Sequence, residues 1–125
     1  MKGDAMNEPE TSTTDTAYAN APSIAWEISW VLRALRTYPL SHGIDREFWL
    51  RKAALLDRIA LREETMLTPD AAAEAVAAAG RAARQLADYD ASFHGVSFRG
   101  EELSTDEDFR AYVRRQYEAA CANRG

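Results

Sequence analysis

The segment from Arg46 to Asp90 constrains the fold of this chain more than any other part of its sequence. An amphipathic run, REFWLRKAALLDRIALREE, meets an alanine-rich run, DAAAEAVAAAGRAARQLADYD, across the pair Thr68-Pro69. Threonine is a good helix cap and proline is favoured at the first helical position, so this pair marks the start of a helix. The segment therefore predicts a hairpin of two helices, at 46–65 and 69–90.

The apolar residues of both predicted helices recur at helical spacing, so each helix should bury one face. Polar side chains of the first helix are expected to point away from the core, namely Arg51, Asp57, Arg58 and Arg62. Its expected core face consists of Phe48, Trp49, Leu55, Leu56 and Ile59. The small side chains of the second helix should let another helix approach closely, and its expected core face is Ala72, Val76, Ala79, Ala83, Leu86 and Ala87.

Two further helices are predicted, at 24–37 and 105–122. Ser23 is the expected N-cap of the first, and Ser104 or Thr105 caps the last, whose first turn is acidic and whose later turns hold arginines, as the helix dipole favours. The apolar stripe of the first helix is Ile24, Ile28, Val31, Leu32, Leu35 and Tyr38. The apolar face of the last helix is Phe109, Tyr112, Val113, Tyr117 and Ala120.

Four helices without a clear strand or an internal repeat indicate an all-α, four-helix bundle-like fold. A chain of 125 residues is long enough for one core, so we expect a single helical domain over residues 23–125. Residues 1–22 lack periodicity and are predicted to form a disordered tail. In the long connection at 91–104, Phe93, Val96 and Phe98 are expected to pin the loop to the domain.

Charge and composition exclude several classes of protein. The net charge is −5, of which residues 1–22 carry −3, so the domain at 23–125 is nearly balanced, with 14 basic and 16 acidic residues. A nearly neutral domain lacks the field that a nucleic-acid binder uses through bulk positive charge. No apolar run is long enough to span a membrane, and no secretory leader precedes the domain, so the expected location is the cytoplasm. The single cysteine, Cys121, agrees with a reducing compartment.

The residues that most often carry chemistry are few and badly spaced for it. His42 and His94 both lie in predicted loops, where they could meet near Asp45 or Asp90, but they lack the close spacing of typical metal ligands. Cys121 has no histidine near it in sequence to activate a thiolate. We therefore predict no catalytic residue, no cofactor and no metal site.

The feature that bears most directly on function is apolar surface in excess of one buried face. Trp26 and Trp30 lie away from the main stripe of the first helix, and Leu50, Ala54 and Leu61 form a second patch on the far side of the helix at 46–65. Either the last helix covers these residues within the chain, or a protein partner or a second copy does. On the second interpretation, these five residues are the partner-binding surface.

Two other functions remain open from the sequence. Arg110, Arg114 and Arg115, interleaved with Tyr112 and Tyr117, resemble a nucleic-acid footprint, although acidic residues interrupt it. This arrangement indicates, as the alternative, a small DNA-associated transcriptional or mobile-element regulator. The third possibility is a small-molecule binder lined by aromatic side chains, namely Trp26, Trp30, Tyr38 and Trp49.

The run RKAALLDRIA at 51–60, followed by a proline-started helix rich in Ala, Glu and Arg, resembles a pattern in small actinobacterial helical proteins, some carried on plasmids and integrated elements. The resemblance covers 48–86, about a third of the chain, and implies the helical fold and a high-GC bacterial source. It implies no functional residue. Together these observations predict a non-enzymatic protein-binding or regulatory module that self-associates, as a homodimer, through its first two helices.

Overall fold

The computed structural model describes residues 17–37, 45–93 and 103–124 of the chain. These residues form four α-helices, which are α1 (Ile24–Thr37), α2 (Arg46–Met66), α3 (Pro69–Phe93) and α4 (Asp106–Arg124). No strand occurs within the described ranges. The predicted all-α, four-helix bundle-like fold is therefore confirmed, and each helix begins and ends within three residues of its predicted limits.

The first three helices begin at the caps that the sequence predicts. The side-chain oxygens of Ser23, Asp45 and Thr68 each accept a hydrogen bond from the backbone N–H three residues later, at 3.1, 3.2 and 3.2 Å. These bonds satisfy N–H groups that have no partner inside the helix.

The start of α4 is capped from both directions. Thr105 Oγ1 accepts from the backbone N–H of Asp108 at 3.1 Å, so of the two predicted caps the structure selects Thr105. The carboxylate of Asp108 accepts in return from the backbone N–H groups of Thr105 and Ser104, both at 3.1 Å. These backbone hydrogen bonds hold the pKa of Asp108 below its usual range. Such reciprocal bonding is a capping box with aspartate in place of glutamate.

The main core lies where α2, α3 and α4 meet, and α2 is the helix that contacts all three others. The small face of α3 is buried as predicted, apart from the half-buried Val76. The bulk that fills the space opposite these alanines comes from α2 and α4. The large buried side chains of this cluster are Leu50, Leu86, Tyr112, Val113 and Tyr117.

Gly80 lets the start of α4 lie close against α3. A Cβ atom at this position would lie 2.6 Å from Cγ of Asp106 and 3.0 Å from its Cβ. Contacts this short require a neighbour to move, so the absence of a side chain at Gly80 permits the approach of the two helices.

Among the helices, α1 contacts only α2. Val31 and Ala34 of α1 pack against Phe48 and Leu55 of α2, and the Trp30 ring stacks on Phe48 with centroids 6.5 Å apart. The predicted core stripe of α1 is only partly correct. Val31 is buried and Ile24 half-buried, whereas three other members are exposed, and Tyr38 lies outside the described residues. The exposed members are Ile28, Leu32 and Leu35.

Part of the segment at 17–22, predicted to belong to the disordered tail, instead packs against the bundle. Ala17 is 4% exposed, and the Tyr18 hydroxyl donates a hydrogen bond to Asp57 at 2.7 Å. The Tyr18 ring also meets the Tyr117 ring edge to face, with centroids 5.3 Å apart. The predicted boundary at residue 22 is thus wrong for Ala17, Tyr18 and Ala21, the last of which also packs against the core, whereas Ala19, Asn20 and Pro22 are exposed. Residues 1–16 lie outside the described part of the chain.

The predicted pinning of the 91–104 connection by Phe93 is also wrong. Phe93 belongs to the last turn of α3 and is 71% exposed, with its ring 4.9 Å from that of Tyr89. Val96 and Phe98 lie outside the described residues.

Candidate protein-binding surface

A row of aliphatic side chains on α1 faces solvent. Ile28, Leu32 and Leu35 are 40%, 53% and 43% exposed. At about 100° of rotation per helical residue, they lie within about 60° of one another and point about 100° away from the buried side of α1. The 4–3 spacing is the one by which helices pack along a seam. We call these three residues the α1 stripe.

The buried side of α1 is set by a charged residue. Glu27 is 3% exposed and accepts two hydrogen bonds from Arg51 of α2, at 3.3 and 3.1 Å, while Arg51 also reaches Glu47 at 3.1 Å. A buried carboxylate needs a hydrogen-bonded cation, so this pair fixes which side of α1 faces α2. Arg51, predicted to point away from the core, is instead half-buried.

The two tryptophans of α1 contact Arg51 and do not form a common exposed face. The Arg51 guanidinium lies 3.7 Å from the centroid of the half-buried Trp30 ring and 5.5 Å from that of Trp26, which is 49% exposed. Trp26 is therefore the more accessible of the two, because Phe48 and Arg51 cover part of the Trp30 ring.

The predicted second patch on α2 belongs to the core. Leu50 and Ala54 are 5% and 2% exposed and pack against α3 and α4, while Leu61 is half-buried. The interpretation in which the last helix covers this side of α2 is thus the correct one for Leu50 and Ala54. Neither residue is accessible to a partner, whereas four large apolar residues of α1 are exposed.

Asp57, predicted to point to solvent, is fully buried between two arginines of α4. Its carboxylate accepts from Arg110 at 2.6 Å and from Arg114 at 2.8 and 2.9 Å, in addition to the Tyr18 hydroxyl. Burial and the nearby Asp57 charge raise the pKa of Tyr18 well above its ordinary value. Of the other residues predicted to point outward from this helix, Arg58 is half-buried, whereas Arg62 is exposed as expected.

The arginines of α4 do not form the predicted nucleic-acid contact. Arg110 and Arg114 are 1% and 6% exposed, and both guanidinium groups are held by Asp57. A phosphate could not reach them without dismantling this buried cluster. Arg115 alone is exposed, with its guanidinium 6.0 Å from the centroid of the Tyr112 ring.

A third buried carboxylate, Asp90, connects α3 to α2 and α4. It accepts two hydrogen bonds from Arg46, at 2.6 and 2.9 Å, and one from the Tyr112 hydroxyl at 2.5 Å. Arg46 also donates to Gln116 at 3.1 Å. Burial and the bond to Asp90 raise the pKa of Tyr112. Each buried carboxylate therefore has arginine partners that explain its presence in the core.

Hydrophobic periodicity missed these ion pairs because their members are 24 to 57 residues apart in sequence. A signal was nevertheless present. Glu27 lies within the apolar half of its helix, and Asp57 follows Leu55 and Leu56 in an otherwise apolar stretch. Acidic residues in such positions need partners, and four arginines of the predicted domain supply them.

The residues considered for chemistry are not brought together in the described structure. Cys121 is half-buried on α4, and both histidines, His42 and His94, lie outside the described residues. Within the ranges 17–37, 45–93 and 103–124, no group of three His, Cys, Asp or Glu side chains is placed to hold a metal ion. Among the same residues, no helix combines the length and the apolar character needed to cross a bilayer.

Of the four aromatic residues proposed to line a small-molecule site, Tyr38 lies outside the described residues. Trp30 lines a cleft of about 180 Å³ with Arg33, Ala34 and Thr37, without Trp26 or Trp49.

A cleft of larger volume lies at the opposite end of α2. It has a volume of about 480 Å³ and is formed by the last turns of α2, the first turns of α3 and the start of α4. Its lining is apolar apart from two acidic residues, Glu64 and Asp106. The apolar lining residues all belong to α3 and are Pro69, Ala72, Ala73, Val76 and Ala77. We call this the alanine cleft.

Comparison with known proteins gives no relative from which a function could be transferred, since no family model, no curated protein and no solved structure matches this chain.

Proposed function

We propose that this protein is a cytoplasmic, self-associating helical module that acts by binding and not by catalysis, and that the α1 stripe is its contact surface. The observation that carries the proposal is the exposure of Ile28, Leu32 and Leu35 on one side of a helix whose other side is already packed. The contact assigned from sequence to two helices is thereby restricted to the α1 stripe, since Trp26, although exposed, lies about 150° round the helix from it.

Energetics support a partner for this surface. Burying an aliphatic side chain contributes about 1.5–3 kcal/mol, and contiguous exposed apolar patches on small proteins commonly mark interaction sites. α1 is also the helix with the least internal support, because it contacts α2 alone. A partner on the α1 stripe would therefore both bury apolar surface and stabilise the helix that presents it.

Charge supports a second copy of this chain as the partner. The exposed charged residues of α1 are Arg33 and Arg36, because its only acidic residue, Glu27, is buried by Arg51. The whole chain carries a net charge of −5. A basic, apolar helix on an acidic protein is complementary to another surface of the same protein.

Mass in solution tests the proposal directly. Light scattering at increasing protein concentration should give a mass above that of one chain, and Leu32→Glu should return it to one chain while the helical circular dichroism is kept. Phe93→Glu is the matched control, because Phe93 is even more exposed but lies on α3, and it should leave association unchanged. A wild-type protein of one-chain mass at all concentrations, or a Leu32→Glu variant that associates normally, refutes the proposal.

A further inference from the structure

The structure contains a second surface whose shape and charge are complementary to the α1 stripe. We infer that the α1 stripe of one copy docks into the alanine cleft of another copy. This inference rests on the proposed function and specifies which surface of the partner the stripe contacts. No α1 residue lines the alanine cleft, so the two surfaces are separate parts of each molecule.

The shape of the cleft suits a leucine-bearing helix. Its base is Ala72, 1% exposed, and its wall consists of Ala73, Val76 and Ala77, which are exposed or half-buried. Small residues at a helix surface let a second helix approach closely, and larger side chains of that helix fill the space they leave. The α1 stripe presents such side chains, whereas the cleft presents none of comparable size apart from Val76.

The charge around the cleft is negative. Both charged lining residues are acidic and accessible, since the side chains of Glu64 and Asp106 are 41% and 50% exposed. Glu64 pairs with the buried Arg110, which also contacts Asp57 and Glu107, and Asp106 pairs with the exposed Arg84.

A further acidic residue, Asp70, is exposed on the first turn of α3. Arg36, beside the α1 stripe, would thus meet a surface of opposite sign. Complementary charge at the edge of an apolar contact favours the correct pairing and raises the association rate.

Direct pairing of two α1 stripes is less favourable on the same grounds. It would place Arg36 of both copies beside one interface, and α1 has no exposed acidic residue to offset this charge. Stripe-to-cleft docking instead uses two different surfaces, so each copy has one of each to offer.

Two single variants separate this inference from the proposed function. Ala73→Arg puts a long cation into the alanine cleft, and because Ala73 is exposed on a helix the substitution is compatible with folding. Ala71→Arg is the matched control, since this alanine is also exposed on the first turns of α3 but faces the opposite side. Dissociation constants come from sedimentation equilibrium, with circular dichroism as the check of folding. Ala73→Arg should weaken association roughly thirtyfold or more, as for an interface hot spot, and Ala71→Arg should leave it unchanged.

Mixing gives the decisive measurement. Leu32→Glu keeps an intact cleft and Ala73→Arg keeps an intact stripe, so each should be monomeric alone while an equimolar mixture forms a complex of one copy of each. The mixture is examined at a concentration well above the wild-type dissociation constant, and added salt should weaken the complex.

The outcomes are distinct. If Ala73→Arg associates like the wild type while Leu32→Glu does not, or if the mixture contains only monomers, the stripe-to-cleft contact is wrong and self-association through α1 still stands. If Leu32→Glu associates normally, or if the wild type is monomeric, the proposed function itself fails and the contact fails with it.

Discussion

The hydroxyl of Tyr18 donates a 2.7 Å hydrogen bond to Oδ2 of Asp57, 39 residues later in the chain. The bond ties the segment before α1 to the centre of α2, where the same carboxylate also holds two arginines of α4. One buried aspartate therefore joins three parts of the chain that are distant in sequence. The stability of the fold should depend on it more than on any exposed charge.

Replacing Asp57 by asparagine is expected to destabilise the protein by about 3–5 kcal/mol. The cost arises because Arg110 and Arg114 would remain buried with their shared anion removed. Urea unfolding followed by circular dichroism measures the change. The control is Asp88→Asn on the exposed side of α3, expected to change stability by less than about 0.5 kcal/mol. Equal effects of the two substitutions would contradict the role assigned to Asp57.

The buried tyrosines should make the fold sensitive to alkaline pH. Burial, together with the Asp57 and Asp90 carboxylates, raises the pKa values of Tyr18 and Tyr112, and burial also raises that of Tyr117. Tyrosines in the unfolded chain ionise near pH 10. The folded state then holds these protons more tightly, so stability is unaffected below about pH 10 and falls as the pH rises further.

Two measurements check this alkaline dependence. The melting temperature should fall above about pH 10, and the tyrosinate absorbance of the folded protein should lag behind that of the chain in denaturant. Tyr18→Phe should flatten the pH dependence and lower stability at neutral pH by about 1.5 kcal/mol, the value of a hydrogen bond to a charged group. Full ionisation of all five tyrosines near pH 10 in the folded protein would be inconsistent with the raised pKa values of Tyr18, Tyr112 and Tyr117.

Local signals in the sequence were sufficient to predict the helices. Ser23, Asp45, Thr68 and Thr105 cap the four helices where their side-chain chemistry places them. The periodicity of the small residues in α3 indicates one buried side, and in the structure that side packs against α2 and α4. These predictions succeeded because the interactions behind them lie within a few residues along the chain.

The orientation of α1 could not be predicted by the same reasoning. Its apolar stripe suggested a core face at Ile28, Leu32 and Leu35, but the helix is oriented by the pairing of Glu27 with Arg51. Hydrophobic periodicity predicts that a carboxylate faces solvent even where the carboxylate is buried. It contains no information about a cation 24 residues away that could pair with it. The same limitation explains the misplacement of Asp57 and of the partner-binding residues Leu50 and Ala54. The sequence indicated that the first helix has more apolar surface than it buries, but it did not identify Ile28, Leu32 and Leu35 as the residues that carry most of the exposed surface.

Removing the cation of the Glu27–Arg51 pair should loosen α1 selectively. Arg51→Met leaves Glu27 buried without its partner and also removes the guanidinium that lies 3.7 Å from the Trp30 ring centroid. We expect a loss of about 3 kcal/mol and faster amide hydrogen exchange in α1, with little change in α3 and α4.

Lys52→Met is the control for this variant. Lys52 neighbours Arg51 and is also half-buried, but its contacts are the face of Trp49 and an exposed hydrogen bond to Gln85, so the loss should be below about 1 kcal/mol. Uniform acceleration of exchange across all four helices in Arg51→Met would show that α1 is not held independently.

Gly80→Ala tests the close approach of α3 and α4, because two effects of opposite sign compete at this position. Alanine is favoured over glycine inside a helix by up to about 1 kcal/mol. Against this, the new Cβ would lie 2.6 Å from Cγ of Asp106, and rotating that side chain away would break its bond to Arg84 without relieving the 3.0 Å contact with its Cβ. We expect the crowding to prevail and the variant to be less stable by about 1 kcal/mol.

The matched experiment repeats the substitution in a background without that side chain. The Asp106→Gly background lacks the Cβ and Cγ atoms of Asp106, so the methyl group that Gly80→Ala adds no longer meets them. In that background Gly80→Ala should be neutral or stabilising through helix propensity alone. The sign of the Gly80→Ala effect, measured by urea unfolding in each background, should therefore reverse. If the substitution stabilises the protein equally in both backgrounds, then the start of α4 yields to the added methyl group, and glycine is not required for this approach.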